Sequence, residues 1–180
     1  MTARLRVFIA CSLDGFIAGS GGDISWLPEP PEGSDEDYGW YGFISDIGCL
    51  LMGRGTYDAV DAMDVEWPHT ERDTIIATRR PLENPPPRVF TAEGDITSLV
   101  ARAKEQAGGK DVYIDGGNMI RQALDAGLID EIVLTICPVV LGAGHALFAG
   151  TQKRHALVLQ RQRELPDGVV QLTYTIAEPQ

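Results

Sequence analysis

Positive charge is scarce in this sequence. Fifteen Lys and Arg stand against 26 Asp and Glu, a formal net charge of −11, and a surface of that sign repels phosphodiester backbones and anionic headgroups. Nucleic acid and membrane surfaces are not expected as partners. Cysteine is as sparse: Cys11, Cys49 and Cys137 are odd in number, far apart and set in apolar runs. That pattern predicts buried free thiols of a reducing compartment and no disulfide framework. The three His, at 69, 145 and 155, have no Cys or His at ligand spacing, so no zinc site is expected. No apolar run reaches the roughly 18 residues of a membrane span, and residues 1–6 are too short and too weakly flanked for a secretion signal. The expectation is a cytoplasmic protein.

What is present is material for one core. A chain of 180 residues, 44% hydrophobic, fits a single domain over 1–180. β-Branched apolar runs recur at 5–10, 49–52, 73–77, 112–115, 130–137, 156–160 and 169–176, with helical patterns between several of them. Residues 96–104 read as an amphipathic helix closed by Gly108-Gly109, and 118–126 as a second closed by Gly127. Residues 155–164 and 168–177 flank Pro166-Asp167-Gly168, which predicts a C-terminal antiparallel hairpin on the sheet edge and makes the sheet mixed. Segments 27–36 and 80–88, rich in Pro, are loops.

Two strands end on glycine and open at once onto helices. Cys49-Leu50-Leu51-Met52 stops at Gly53-Arg54-Gly55-Thr56, and Val112-Tyr113-Ile114-Asp115 stops at Gly116-Gly117-Asn118. Such a junction leaves free backbone N–H groups beside a main chain with no Cβ, which suits a phosphate. Two of them could hold the two phosphate regions of one dinucleotide. The second junction is not the G-x-G-x-x-G fingerprint, so a Rossmann domain is not implied. Asp115 would repel a pyrophosphate unless it turned away or capped the following helix.

Other residues read as wall, anion contact or proton site. Asp14-Gly15 follows the first strand, as a pocket wall beyond a strand end or as a plain turn. Gly53-Arg54-Gly55-Thr56 and Thr78-Arg79-Arg80 each set a hydroxyl beside a guanidinium; these suit a phosphate monoester, or else are solvated surface arginines. Trp26 and the run Asp35 to Ile44 combine acid with aromatics. Asp37 there would be desolvated, with a raised pKa fit for proton relay, or would simply complement a helix dipole.

Taken in order, Ser12-Leu13-Asp14-Gly15-x-Ile17-Ala18, Trp26-Leu27-Pro28, Met52-Gly53-Arg54-x-Thr56-Tyr57, Gly116-Gly117 and Pro138-Val139-Val140-Leu141-Gly142-x-Gly144-x-x-Leu147-Phe148 resemble the dihydrofolate reductase-like superfamily. Within it they look like the branch holding the reductase domain of the bifunctional riboflavin-biosynthesis deaminase-reductase. The resemblance implies one α/β domain with a mixed, mostly parallel sheet flanked by helices, NADPH as hydride donor, and frequent homodimers. By position, Ala10 and Ile17 resemble residues whose backbone meets the nicotinamide carboxamide, and Gly116, Gly117 and Asn118 fall where the pyrophosphate rests. Gly53, Arg54 and Thr56 match the second cofactor motif, and Thr78 with Arg79 or Arg80 the adenosine 2′-phosphate side. Gly55 stands where many relatives carry a basic residue, which lessens the preference for NADPH over NADH. Asp37-Tyr38-Gly39-Trp40-Tyr41 resembles the stretch that supplies a substrate-binding carboxylate, and Thr135 its hydroxyl partner. The longer spacing from Trp26 leaves Glu36 or Asp35 as alternatives.

The expected activity is NADPH-dependent hydride transfer to a small planar heterocycle, pterin- or pyrimidine-like, or to a carbonyl compound. The substrate would lie beneath Trp26 and the helix beginning near Asp37, with a proton route through Asp37, Thr135 or water. The Cys/His zinc motif of the deaminase half is absent, so the chain is at most a stand-alone reductase. Arg72 could serve a folate glutamate tail, but Glu71 and Asp73 beside it make a poor anion site, and the acidic loop at 29–37 opposes a phosphoribosyl group. Two alternatives stay open: a non-catalytic nucleotide-binding or dimer-forming protein, and a riboflavin-pathway aminopyrimidine reductase.

Overall fold

Strand parity organises the molecule, because successive side chains on a strand point to opposite faces. In the computed structural model, which describes residues 2–30, 32, 34–63 and 65–177, the run Ile47 to Gly53 shows this plainly. Cys49 and Leu51 enter one core layer, while Leu50 and Met52 enter the other.

The chain runs β1 (Leu5–Ser12), β2 (Phe16–Ala18), α1 (Trp40–Ser45), β3 (Ile47–Gly53), α2 (Arg54–Asp61), β4 (Asp73–Ala77), β5 (Val89–Ala92) and α3 (Ile96–Gln106). It continues through β6 (Asp111–Asp115), α4 (Gly117–Asp125), β7 (Glu131–Cys137), β8 (His145–Ala146), β9 (Leu157–Glu164) and β10 (Val170–Ile176). Among the described residues eight strands form one sheet in the order β5-β4-β3-β6-β1-β7-β10-β9. The strands from β5 to β7 pair in parallel, and β10 and β9 return antiparallel as the C-terminal hairpin. The single mixed α/β layer expected from the sequence is what forms.

Two features were not read from the sequence. β5 lies in a Pro-flanked stretch, and β2 with β8 makes a small antiparallel pair, Ala18 opposite His145. Both are two to four residues long, too short for a periodic signal.

Helices α3 and α4 cover the face that carries Leu5, Val7, Ile75, Val112 and Ile114, presenting Leu99, Val100, Ala103, Met119, Ile120 and Ala123. Asp95 starts α3 by accepting the Ser98 amide at 2.8 Å. Helices α1 and α2 lie on the other face, where Phe43, Ile44, Tyr57 and Trp67 meet Leu50, Met52, Ile76 and Tyr113. Each fully buried Leu, Ile or Met contributes about 1.5–3 kcal/mol relative to exposure.

The three cysteines are buried and free, and burial pushes the Cys49 thiol up to about 12 and Cys11 up to about 11. An ion-pair cluster forms at the N-terminal edge of the sheet, where Arg6 meets Glu131 at 2.7 Å, Asp46 at 3.1 Å and Asp111 at 3.3 Å. The opposite edge, where the parallel strands end, is left for a ligand. Among the described residues no helix is long and apolar enough to cross a membrane.

Candidate active site

The two glycine bends come together. β3 and β6 are neighbours with Met52 opposite Asp115, so Gly53 and Gly116, one residue further on, lie side by side. Gly116 has φ 93° and ψ 126°, a backbone conformation open to glycine and strained for other residues. A Cβ there would also overlap Thr56 Oγ1. A Cβ on Gly117 would crowd Ala146 O at 3.1 Å and Ile17 Cδ1 at 3.2 Å. Neither Gly53 nor Gly116 caps its helix with a side chain, so the first-turn amides of α2 and α4 keep their donors for a ligand.

These bends floor a cleft of about 950 Å³, at the upper end of the range for small-molecule sites. Its wall on the far side is the β2–β8 pair, held by Asp14. That carboxylate accepts Ser12 Oγ at 2.6 Å, the Leu141 amide at 3.1 Å and the Gly142 amide at 2.7 Å. The Ser12 hydroxyl and the two amides hold Asp14 below the usual carboxylate range. Arg121 adds a second tie, donating to Ala146 O at 2.7 Å and Leu147 O at 3.2 Å. Gly144 lets the loop before β8 approach closely, since a Cβ on it would overlap Ala18 O.

A sequence profile of the RibD C-terminal domain matches residues 3–171. The chain belongs to the RibD C-terminal domain family. It is 30% identical over 178 residues to the uncharacterized protein YwjB of Bacillus subtilis (strain 168), covering 98% of this chain and 100% of that one. A putative riboflavin biosynthesis protein from Shewanella sp. PV-4 is 31% identical and superposes with a TM-score of 0.88 over 97% of this chain and 99% of that one. Dihydrofolate reductase from Enterococcus faecalis, at 16% identity, shares the fold with a TM-score of 0.67 over 99% of each chain. The fold is therefore dihydrofolate reductase-like.

In this RibD C-terminal domain the cleft gathers ten of the residues assigned to the cofactor by resemblance. Ala10, Ile17, Gly53, Arg54, Thr56, Thr78, Arg79, Gly116, Gly117 and Asn118 all line it. Arg80 does not; it lines a small surface hollow with Tyr57, Asp61 and Glu83. Arg54 is already engaged, with Asp58 at 2.6 Å and Pro81 O at 3.3 Å. Thr78 Oγ1 closes its own turn by accepting the Arg80 amide at 3.1 Å. Among the described residues Arg79 has no ion-pair partner and is exposed.

The three residues named for catalysis are placed differently. Trp26 donates Nε1–H to Asp23 O at 3.0 Å, while its neighbours Ile24 and Leu27 line the cleft in its stead. Thr135 is buried beside Ala10 in the sheet, but its hydroxyl accepts from Gln171 Nε2 at 3.0 Å. Asp37 accepts the Gly39 amide at 2.8 Å and the Tyr41 amide at 2.7 Å. The Tyr41 amide above all holds its carboxyl below the ordinary range, where a raised value was expected. None of the three is among the cleft-lining residues. Arg72, offered for a glutamate tail, precedes β4 at the opposite edge of the sheet and donates to Ile47 O at 3.2 Å.

Asp115 corrects the expectation of a helix cap. Gly116 occupies the cap position, and Asp115 Oδ1 accepts the Gly116 amide at 2.7 Å. The carboxyl shares the α1/α2 side of β6 with Tyr113, whose hydroxyl donates to Phe8 O at 3.0 Å, and both line the cleft. Burial raises the Asp115 pKa, against the lowering effect of the Gly116 amide and the Tyr113 hydroxyl. Asp115 is thus a cleft-lining carboxyl with a raised pKa, the property expected of Asp37. Parity with Tyr113 was the available signal.

Proposed function

We propose that this protein is a reductase that binds NADPH in the cleft and reduces a small planar heterocyclic or carbonyl substrate. The observation that carries the reading is the abutment of Gly116 on Thr56, which merges two anion-binding bends into one cradle. The residues present fit a nicotinamide dinucleotide. Gly116 and Gly117 leave the space a Cβ would fill, the first turns of α2 and α4 offer backbone donors, and Arg79 offers a guanidinium for a 2′-phosphate. When bound, the reduced nicotinamide supplies the hydride.

The chain's own contribution is position, dryness and a proton. Ala10 and Ile17 line the cleft, and Leu27, Val60 and Met63 give it an apolar border. Asp115, whose pKa burial raises, would donate the proton to the substrate heteroatom that accompanies hydride addition to the carbon and would recover one from water. One C=O or C=N bond is thereby saturated, with two electrons and two hydrogens accounted for. An assay of NADPH oxidation with carbonyl, quinone, pterin and pyrimidine compounds tests the reading. Turnover that Asp115→Asn lowers supports it; cofactor binding with no turnover across the set favours a non-catalytic binder.

The reading includes a homodimer. Leu157, Val158 and Leu159 on edge strand β9 are 38–49% exposed, and an apolar edge of that kind is commonly covered. Sedimentation showing only monomer would remove this part.

A further inference from the structure

Resting on that reading, we infer that the substrate carries no phosphate, carboxylate or other anionic group. The cleft divides by strand parity. On the α1/α2 side lie Phe8 of β1, Tyr113 and Asp115 of β6, and Ala59, Val60 and Met63 of α2 and the turn after it. This half offers aromatic and aliphatic surface and one carboxyl.

The basic side chains of the cleft stand elsewhere or are spent. Among the described residues they are Arg54, Arg79, Arg121 and His145. Arg54 opens α2 at the glycine bends and is paired with Asp58. Arg79 follows β4, two strands from β6. Arg121 is turned onto the carbonyls of Ala146 and Leu147, and His145 lies on the β8 wall. An anionic group seated against Phe8, Val60 and Met63 would lose its water and find no cation there.

The aromatic part of this surface is held in a packed cluster, which opposes its opening to admit a hydrated anion. Phe8 is fixed against Phe43 and Trp40 with ring centroids at 4.8 and 5.4 Å. Phe43 in turn meets Tyr113 edge-on at 5.3 Å. The exposed charges on the flanking segments are mostly acidic: Asp61 on α2, and Glu29, Glu32 and Asp35 in the loop after Leu27. They lower the local concentration of anions. A flat, neutral or cationic aryl body matches every one of these features.

The test is equilibrium binding, by ligand-observed NMR and calorimetry on the full chain, of matched probes. Naphthaldehyde and a naphthoquinone are compared with the carboxylate of the first and the sulfonate of the second. The neutral member of each pair is expected to bind about tenfold or more tighter, and Met63→Lys, which places a cation in this half, is expected to erase the difference. Parity in the wild type, preference for the anions, or no binding by either neutral probe overturns the inference. NADPH titrated in parallel separates the two claims: loss of cofactor binding sinks the cleft assignment, whereas intact cofactor binding with anion preference sinks only the substrate class.

Discussion

Gly116 lies so close to Thr56 that a single added carbon would overlap the threonine hydroxyl. One residue belongs to the bend after β6 and the other to the first turn after β3, so their contact joins two separate chain reversals into one cradle. Gly116→Ala is therefore expected to lower the melting temperature, since both the positive φ and the overlap oppose it. It should also abolish NADPH binding. Thr56→Ala keeps the backbone and should leave melting nearly unchanged, while weakening NADPH about three- to tenfold through one lost hydrogen bond. Calorimetry of the two variants, with melting curves, checks both.

Asp115 supplies a prediction with opposite signs for activity and stability. Its pKa is raised in the folded chain, so the native state holds its proton more tightly than the unfolded state does. The stability this confers is complete below the ordinary carboxylate pKa and is lost as pH rises through the folded value. Asp115→Asn should thus melt higher than wild type at neutral pH, with the advantage shrinking toward acid. Turnover should fall about 10²- to 10⁴-fold, and the wild-type decline of kcat/KM with rising pH should flatten. NADPH affinity should change little.

Asp14 acts at a distance from the chemistry. By holding the Leu141 and Gly142 amides it seats β8 against β2, and so sets where Ile17 and Ala146 stand in the cleft. Asp14→Ala should raise the dissociation constant of NADPH and KM together while the pH profile of kcat keeps its shape. A shifted pH profile would instead give Asp14 a proton-transfer role.

Arg79 should decide the choice between phosphorylated and plain cofactor. Arg79→Ala is expected to weaken NADPH several-fold, by the loss of one charge-assisted contact, and to leave NADH unchanged. The difference should fade at high salt. Equal losses for both cofactors would remove Arg79 from the 2′-phosphate site.

How much of this was legible in advance differs between fold and site. The strand runs at 49–52 and 112–115 are plain apolar runs, and the glycines directly after them mark the bends in the sequence itself. Their abutment was not legible, because the order β3-β6-β1 is set by tertiary pairing. The Asp37 pKa departs from the expected direction for a local reason: Gly39 at φ 81° turns the chain so that two amides reach its carboxylate, stabilising the anion. Asp115 differs from the expectation because a carboxylate beside Gly-Gly reads as a cap, and only the face it shares with Tyr113 shows it to be a partly buried carboxyl of the cleft. The short strands β2 and β8 are brought together by long-range ties, Asp14 to the Leu141 and Gly142 amides and Arg121 to the Ala146 carbonyl, which no local pattern announces.

His69 links stability to acid pH. Burial, aided by Arg72, lowers its pKa to about 4, and its ring packs edge-on to Trp67 at 5.8 Å and tilted to Trp40 at 6.2 Å. The folded state binds this proton less tightly than the unfolded one. Its contribution is present above the ordinary histidine pKa and is lost as pH falls through about 4. His69→Phe should flatten the fall in melting temperature between neutral pH and that value.

The central claim is that the joined glycine bends hold a reduced nicotinamide dinucleotide, and a titration of the purified chain with NADPH and NADH, followed by calorimetry, tests it most directly. The account predicts saturable one-site binding of NADPH with a dissociation constant in about the micromolar range, weakened in Thr56→Ala and absent in Gly116→Ala. A folded wild-type protein that binds neither dinucleotide, or binds it equally well after Gly116→Ala, contradicts it.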